Sequence, residues 1–273
     1  MTNPLTENTE NTQKTQKTQP PNITHTINTE DPPPAEVPLE EAPPAEAPSA
    51  EPPTGPAIPM PERPKNPRGE IQFLTIIGQI EGHMVSPPNT KTTKYEHVIP
   101  QLVITAENRE IDGLLILLNT VGGDVEAGLA IAELIAQLGK PTVSLVLGGG
   151  HSIGVPLAVS ARHSFIVPTA TMTIHPVRMN GTMVGTPQTY DYFNKMQDRV
   201  MDFIVNNSGV GRDRLMELMM DTQKLVLDVG TILIGAEAVN ESIIDEVGGL
   251  HDAMEKLYEF IEEDRVKAEL KQS

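Results

Sequence analysis

The residues best equipped for chemistry in this sequence are Ser152 and His175, and the segments around them say what chemistry that would be. Ser152 lies in GGGHSIGVP, residues 148–156, between the apolar run TVSLVL and the small-residue stretch LAVSA. Three consecutive glycines permit backbone angles forbidden to other residues, so a sharp turn and a close approach by another backbone segment are expected there. G-H-S-I-G fits the G-x-S-x-G pattern, which in a strand–turn–helix context lifts a serine hydroxyl out of the turn as a nucleophile. The competing reading is that Ser152 caps the following helix. His175 ends a short apolar strand in TATMTIHPVRMNG, residues 169–181. Alone it reads as a satisfied edge residue; beside a serine it reads as a base, because a hydroxyl is a weak nucleophile until a neighbour removes its proton. A third segment, LNTVGGDVEAG, residues 118–128, sets Gly122 and Gly123 between a strand and a helix. N–H groups at a helix start carry the positive end of the dipole and suit a developing oxyanion; a plain strand-to-helix turn is the alternative.

Positioning such groups needs a scaffold, and from about residue 70 the pattern supplies one. IQFLTIIGQI reads as a strand, YEHVIPQLVITAENRE as a helix, GLLILLN as a buried strand, and DVEAGLAIAELIAQLG as a helix whose Ile131, Leu134, Ile135 and Leu138 lie close to one face. TVSLVL is the next buried strand, PLAVSARH a helix, and SFIVP and TMTIHP two short strands. The amphipathic run PQTYDYFNKMQDRVMDFIVNNSG predicts a long helix ending at Gly209. RDRLMELMMDTQKL, a loop VLDVGTILIG, AEAVNES and a last helix, LHDAMEKLYEFIEEDRVKAELKQS, complete the chain. Repeated alternation of strand and helix implies an α/β fold with a largely parallel sheet covered by helices.

Composition bounds the rest. Residues 1–68 hold most of the chain's 25 prolines, many beside glutamate and threonine, and few branched apolar side chains. Such a stretch buries too little apolar surface to offset its ordering entropy and is expected to be a disordered tail, with the folded domain over 69–273. The start, MTNPLTENTE, lacks the basic and apolar parts of a signal peptide, and no stretch reaches the roughly 18 apolar residues of a spanning helix. There is no cysteine, which removes thiolate catalysis, disulfides and cysteine metal sites; with the missing signal, this favours the cytoplasm. A formal charge of −17 argues against a nucleic-acid partner. No cofactor or metal is expected.

NTVGGDVEAG, GGGHSIGV and MTIHP, in that order and spacing, resemble the proteolytic subunit family of the Clp protease. The fuller set IIGQIEGH, KTTKYEHVIPQ, LNTVGGDVEAGLAIAE, LVLGGGHSIGVP and TMTIHPVR looks like that family's translocation-enhancing branch. The resemblance runs from about Phe73 to about Gly249. It implies an α/β fold of stacked β-β-α units of the Clp/crotonase type, and a serine endopeptidase acting on peptides or unfolded proteins, in this branch connected with precursors or signal peptides in secretion. It implies Ser152 as nucleophile, His175 as base, and the N–H groups of Gly123 and Ile153 as oxyanion donors. It further implies a homo-oligomeric ring of seven, often stacked in pairs through the long helix after the histidine.

The sequence departs from the family in three places. The family's aspartate precedes the A-E-A-V-like segment; counting back without gaps from AEAV at 236–239 reaches Gly230, so Asp228 is the candidate and Asp221 the reserve. His151 stands where the family has a small residue, a position that would narrow the site, compete as a base or, on the blander reading, face solvent from the turn. The proline-rich tail offers no likeness to the family's pore segment, which leaves pairing with a Clp-type ATPase open. Two other readings stay in play: a ring scaffold with weak catalysis, and an esterase-like α/β-hydrolase using Ser152, Asp228 and His251 in that fold's chain order. A crotonase-type acyl-CoA enzyme would share the fold but leave the serine and histidine without a role.

Overall fold

The computed structural model describes residues 66–178, 186–222 and 229–271, all within a single unit of the chain. The proline-rich segment up to residue 65 lies outside the described residues, and so does Asp228.

The sheet is built from the apolar runs. β1 (Ile71–Glu81) pairs in parallel with β3 (Gly113–Gly123), β3 with β4 (Thr142–Gly150), and β4 with β5 (His163–Ile166). Two short strands, β2 (Thr92–Lys94) and β8 (Glu246–Val247), flank them, giving the order β2-β1-β3-β4-β5-β8. β3 shows why its sequence is apolar without a break: Leu114, Ile116 and Leu118 enter one buried cluster, while Leu115 enters another on the opposite face. A central parallel strand covered on both sides has no polar face to offer.

α1 (Tyr95–Glu107), α2 (Val125–Ala136), α3 (Gly154–Val159), α4 (Pro187–Asn206) and α5 (Arg212–Met220) contribute to the larger cluster; α7 (Leu250–Leu270) covers the other face through Ala253, Leu257 and Ile261. Asn66 donates to the Tyr258 hydroxyl at 2.6 Å and Arg68 pairs with Glu255, so the chain is docked on α7 before β1 begins. Among the described residues no helix is long and apolar enough to cross a membrane.

A second, smaller strand pair leads to His175. β6 (Thr171–Ile174) meets β4 at the one registered pair Gly149–Thr171 and runs antiparallel to β7 (Thr231–Ile234), with Ile174 opposite Thr231. β7 falls inside the segment expected to be a loop. Thr231 and Leu233 point inward while Ile232 and Ile234 stay exposed, so the alternation is present but apolar residues occupy both faces and hide it. α6 (Ala236–Asn240) follows. α4 ends at Asn206 rather than at Gly209, because the Asn207 N–H already closes the last turn on Phe203 and Ile204; Gly209 instead donates to Ser242.

Candidate active site

The glycines before Ser152 do not make the turn. Gly148 to Gly150 are the last residues of β4, and none has positive φ. Their small size serves close approach: a Cβ on Gly148 would lie 2.5 Å from the Asn119 side chain, and one on Gly149 would lie 2.8 Å from the His151 ring. The turn is made by Ser152 itself, with φ of 58°. A left-handed serine costs of the order of 1–3 kcal/mol and persists only where neighbours hold it. Here the His151 N–H donates to Thr120 O at 3.2 Å and the Ser152 N–H to Thr173 O at 2.8 Å, while Gly154 and Val155 N–H groups close the turn on the carbonyls of His151 and Ser152. Ser152 does not cap α3; its N-cap is Ile153, and no side-chain bond opens the helix.

His175 follows β6 directly. Its Nδ1 lies 2.7 Å from Pro176 O. A carbonyl can only accept, so Nδ1 carries the hydrogen in the neutral ring and Nε2 keeps its lone pair. That is the tautomer a general base requires.

Ser152 and His175 line one cavity of about 270 Å³, and Gly123 and Ile153 line it with them. Gly122 (φ 89°) and Gly123 (φ 152°) bend the end of β3 toward the serine, and a Cβ on Gly122 would lie 2.7 Å from Ser152 Cβ. Ile80 stands in register with Gly123 and accepts from the Asp124 N–H at 3.0 Å. In a parallel ladder this makes Ile80 the bonding residue and turns the Gly123 N–H away from β1. Asp124 then caps α2 by accepting from the Ala127 N–H at 2.9 Å.

Next to His175, where a carboxylate is expected from the ungapped count, stands Gly230. A Cβ there would lie 2.9 Å from His175 Cβ and 2.3 Å from Ile174 O. The Gly230 N–H donates to Asp221 O at 2.7 Å, which sets the Asp221 backbone beside Gly230.

His151 does not face solvent from the turn. Its half-buried ring has Nδ1 2.8 Å from Thr173 Oγ1 and Nε2 3.4 Å from Thr171 Oγ1. Burial pushes its pKa down, with a further push from His175. It is absent from the walls of the cavity, as is His251, an exposed residue in the first turn of α7 on the opposite side of the sheet from α2 and α3. The esterase-like trio is therefore not brought together around Ser152. The remaining walls were not legible from the sequence. Val125, Val155, Val200, Ile204 and Met219 come from four helices and read there as ordinary core; only the i,i+4 spacing of Val200 and Ile204 marks a shared face. A larger surface hollow of about 830 Å³ along α7, between Arg68 and Glu262, holds neither serine nor histidine.

A mainly parallel sheet, a serine with positive φ at a strand-to-helix turn, and a histidine at the end of a short side strand make up an α/β architecture of the Clp protease kind. The family model for Clp protease matches residues 68–250, and the chain belongs to that family. Over 199 residues it is 58% identical to the translocation-enhancing protein TepA of Halalkalibacterium halodurans, covering 73% of this chain and 78% of that protein. It is 29% identical over 145 residues to the ATP-dependent Clp protease proteolytic subunit of Streptococcus salivarius, covering 50% and 68%. The corresponding subunit of Streptococcus pneumoniae is 29% identical over 151 residues, covering 53% and 71%.

Proposed function

We propose that this protein is a serine endopeptidase of the Clp type. The observation that carries the reading is the shared cavity of Ser152, His175, Gly123 and Ile153. His175 Nε2 takes the hydroxyl proton as Ser152 Oγ attacks the peptide carbonyl, and the N–H groups of Gly123 and Ile153 hold the oxyanion. The imidazolium returns the proton to the departing amine, and a water activated by the same histidine frees the acyl group. Asp228 is the acid that steadies the imidazolium, with Asp221 as the reserve. It lies two positions before Gly230, and two residues of chain span at most about 7 Å, while Gly230 abuts His175.

The substrates are peptides or unfolded proteins. The similarity to a protein named as translocation-enhancing supports a link to protein translocation, which we read as a role with precursors or signal peptides during secretion. Clp family membership supports assembly as an oligomeric ring. One observation favours a second reading, a ring scaffold of weak activity: the residue beside His175 at the expected acid position is a glycine. Hydrolysis of a fluorogenic peptide by the full chain separates the two. Ser152→Ala and His175→Ala are each expected to lower kcat by a factor of about 10³ or more without changing assembly. Wild type and Ser152→Ala behaving alike would establish the scaffold.

A further inference from the structure

The strand that delivers His175 is tied to the strand that delivers Ser152 by little backbone. β4 and β6 share the single registered pair Gly149–Thr171, whereas β6 and β7 share four. Alignment of base and nucleophile therefore depends on what else crosses that junction. Among the described residues, besides apolar packing around Met172, two polar links do: the Ser152 N–H on Thr173 O, and the His151 ring, lying against Gly149 with its nitrogens on the hydroxyls of Thr173 and Thr171. The ring belongs to the residue before the nucleophile, and Thr173 lies two residues before the base. A Cβ on Gly149 would lie 2.8 Å from the ring, so the glycine leaves the space that the His151 side chain occupies.

We infer that His151 is a positioning residue, a strut that holds the Ser152 turn in register on β6 and so sets the distance between Ser152 Oγ and His175 Nε2. The inference rests on the peptidase reading for its effect on rate, but its structural content stands apart from it. His151 does not line the cavity, so it acts through the turn and the strand rather than on the substrate. Its neutral ring serves as well: Nδ1 accepts from the Thr173 hydroxyl while Nε2–H points toward Thr171 Oγ1.

The test uses the full-length protein with His151→Ala, His151→Asn and Thr173→Val. Misplacing a nucleophile by about 1 Å costs of the order of a hundredfold in rate. His151→Ala and Thr173→Val are each expected to lower kcat about ten- to a hundredfold at nearly unchanged KM and with the acid limb of the pH profile unmoved. The asparagine amide, which reaches the Thr173 hydroxyl, should restore most of the loss, and the double variant His151→Ala/Thr173→Val should be no worse than either single change. Unchanged kcat in both single variants overturns the strut. So does an acid limb that disappears in His151→Ala, which would make His151 the base. Amide exchange at Ser152, read on the same proteins, keeps the test independent of activity. If wild type hydrolyses nothing, the peptidase reading fails alone; faster exchange at Ser152 in both variants supports the strut and unaltered exchange overturns it.

Discussion

Gly230→Asp looks like a repair, since it puts a carboxylate at the position reached by counting back from AEAV, and the structure predicts that it does damage. Gly230 has φ of 134°, a region that side-chain-bearing residues rarely adopt, and its Cβ would sit 2.3 Å from Ile174 O and 2.9 Å from His175 Cβ. The backbone penalty is about 1–3 kcal/mol. Relieving the overlap costs about another 1–3 kcal/mol, and the atoms that must yield are the carbonyl and Cβ that hold His175 at the end of β6. For a folded region of this size each kcal/mol lowers Tm by about 2–4 °C, so a fall of about 5–20 °C is expected. Gly230→Ala carries the same steric load without the charge and should melt alongside it. Thermal melts of the three proteins, with peptide hydrolysis measured at 25 °C, give the answer. An aspartate variant that melts within about 2 °C of wild type and hydrolyses faster would refute both the clash and the assignment of the acid elsewhere.

If Asp228 steadies the imidazolium, Asp228→Asn should lower kcat by about 10³- to 10⁴-fold while Asp221→Asn costs less than tenfold; the reverse order in a steady-state assay would move the role to Asp221. Acid titration of stability should report His151. Burial and the nearby His175 hold its pKa below the ordinary value of 6.5, so as pH falls through 6.5 the unfolded chain takes the proton first. The stabilisation is present in full above pH 6.5 and is lost as pH drops below it, by no more than about 1.4 kcal/mol per pH unit. Urea melts between pH 7.5 and 5 should show a shallower slope for His151→Asn than for wild type. Equal slopes would mean that the ring is not held neutral.

The main scaffold was legible because its signals are long and redundant. β3 holds an unbroken apolar run, β1 and β4 are rich in branched apolar residues, and α1 and α2 repeat every three to four residues, with Asp124 capping α2. Ser152 and His175 could be singled out because a glycine-flanked serine and a strand-end histidine suggest each other, and the structure lines one cavity with both. The misreadings share a cause, which is that local pattern does not reveal what approaches from elsewhere in the chain. Gly148 to Gly150 look like a hinge and are strand, because what they accommodate is Asn119 and His151 rather than a bend. β7 looks like a loop because four residues paired with a distant strand carry too short a period to see. His151 looks exposed because the threonines that hold its ring lie twenty and more residues away.

The central claim is that Ser152 is an activated nucleophile with His175 as its base. Incubation of the full-length protein with a fluorophosphonate, followed by peptide mapping by mass spectrometry, tests it with the fewest intermediate steps. A single adduct is expected on Ser152, absent from Ser152→Ala and slowed by orders of magnitude in His175→Ala. A folded, assembled protein that takes no adduct, or takes it on another residue, would contradict the account.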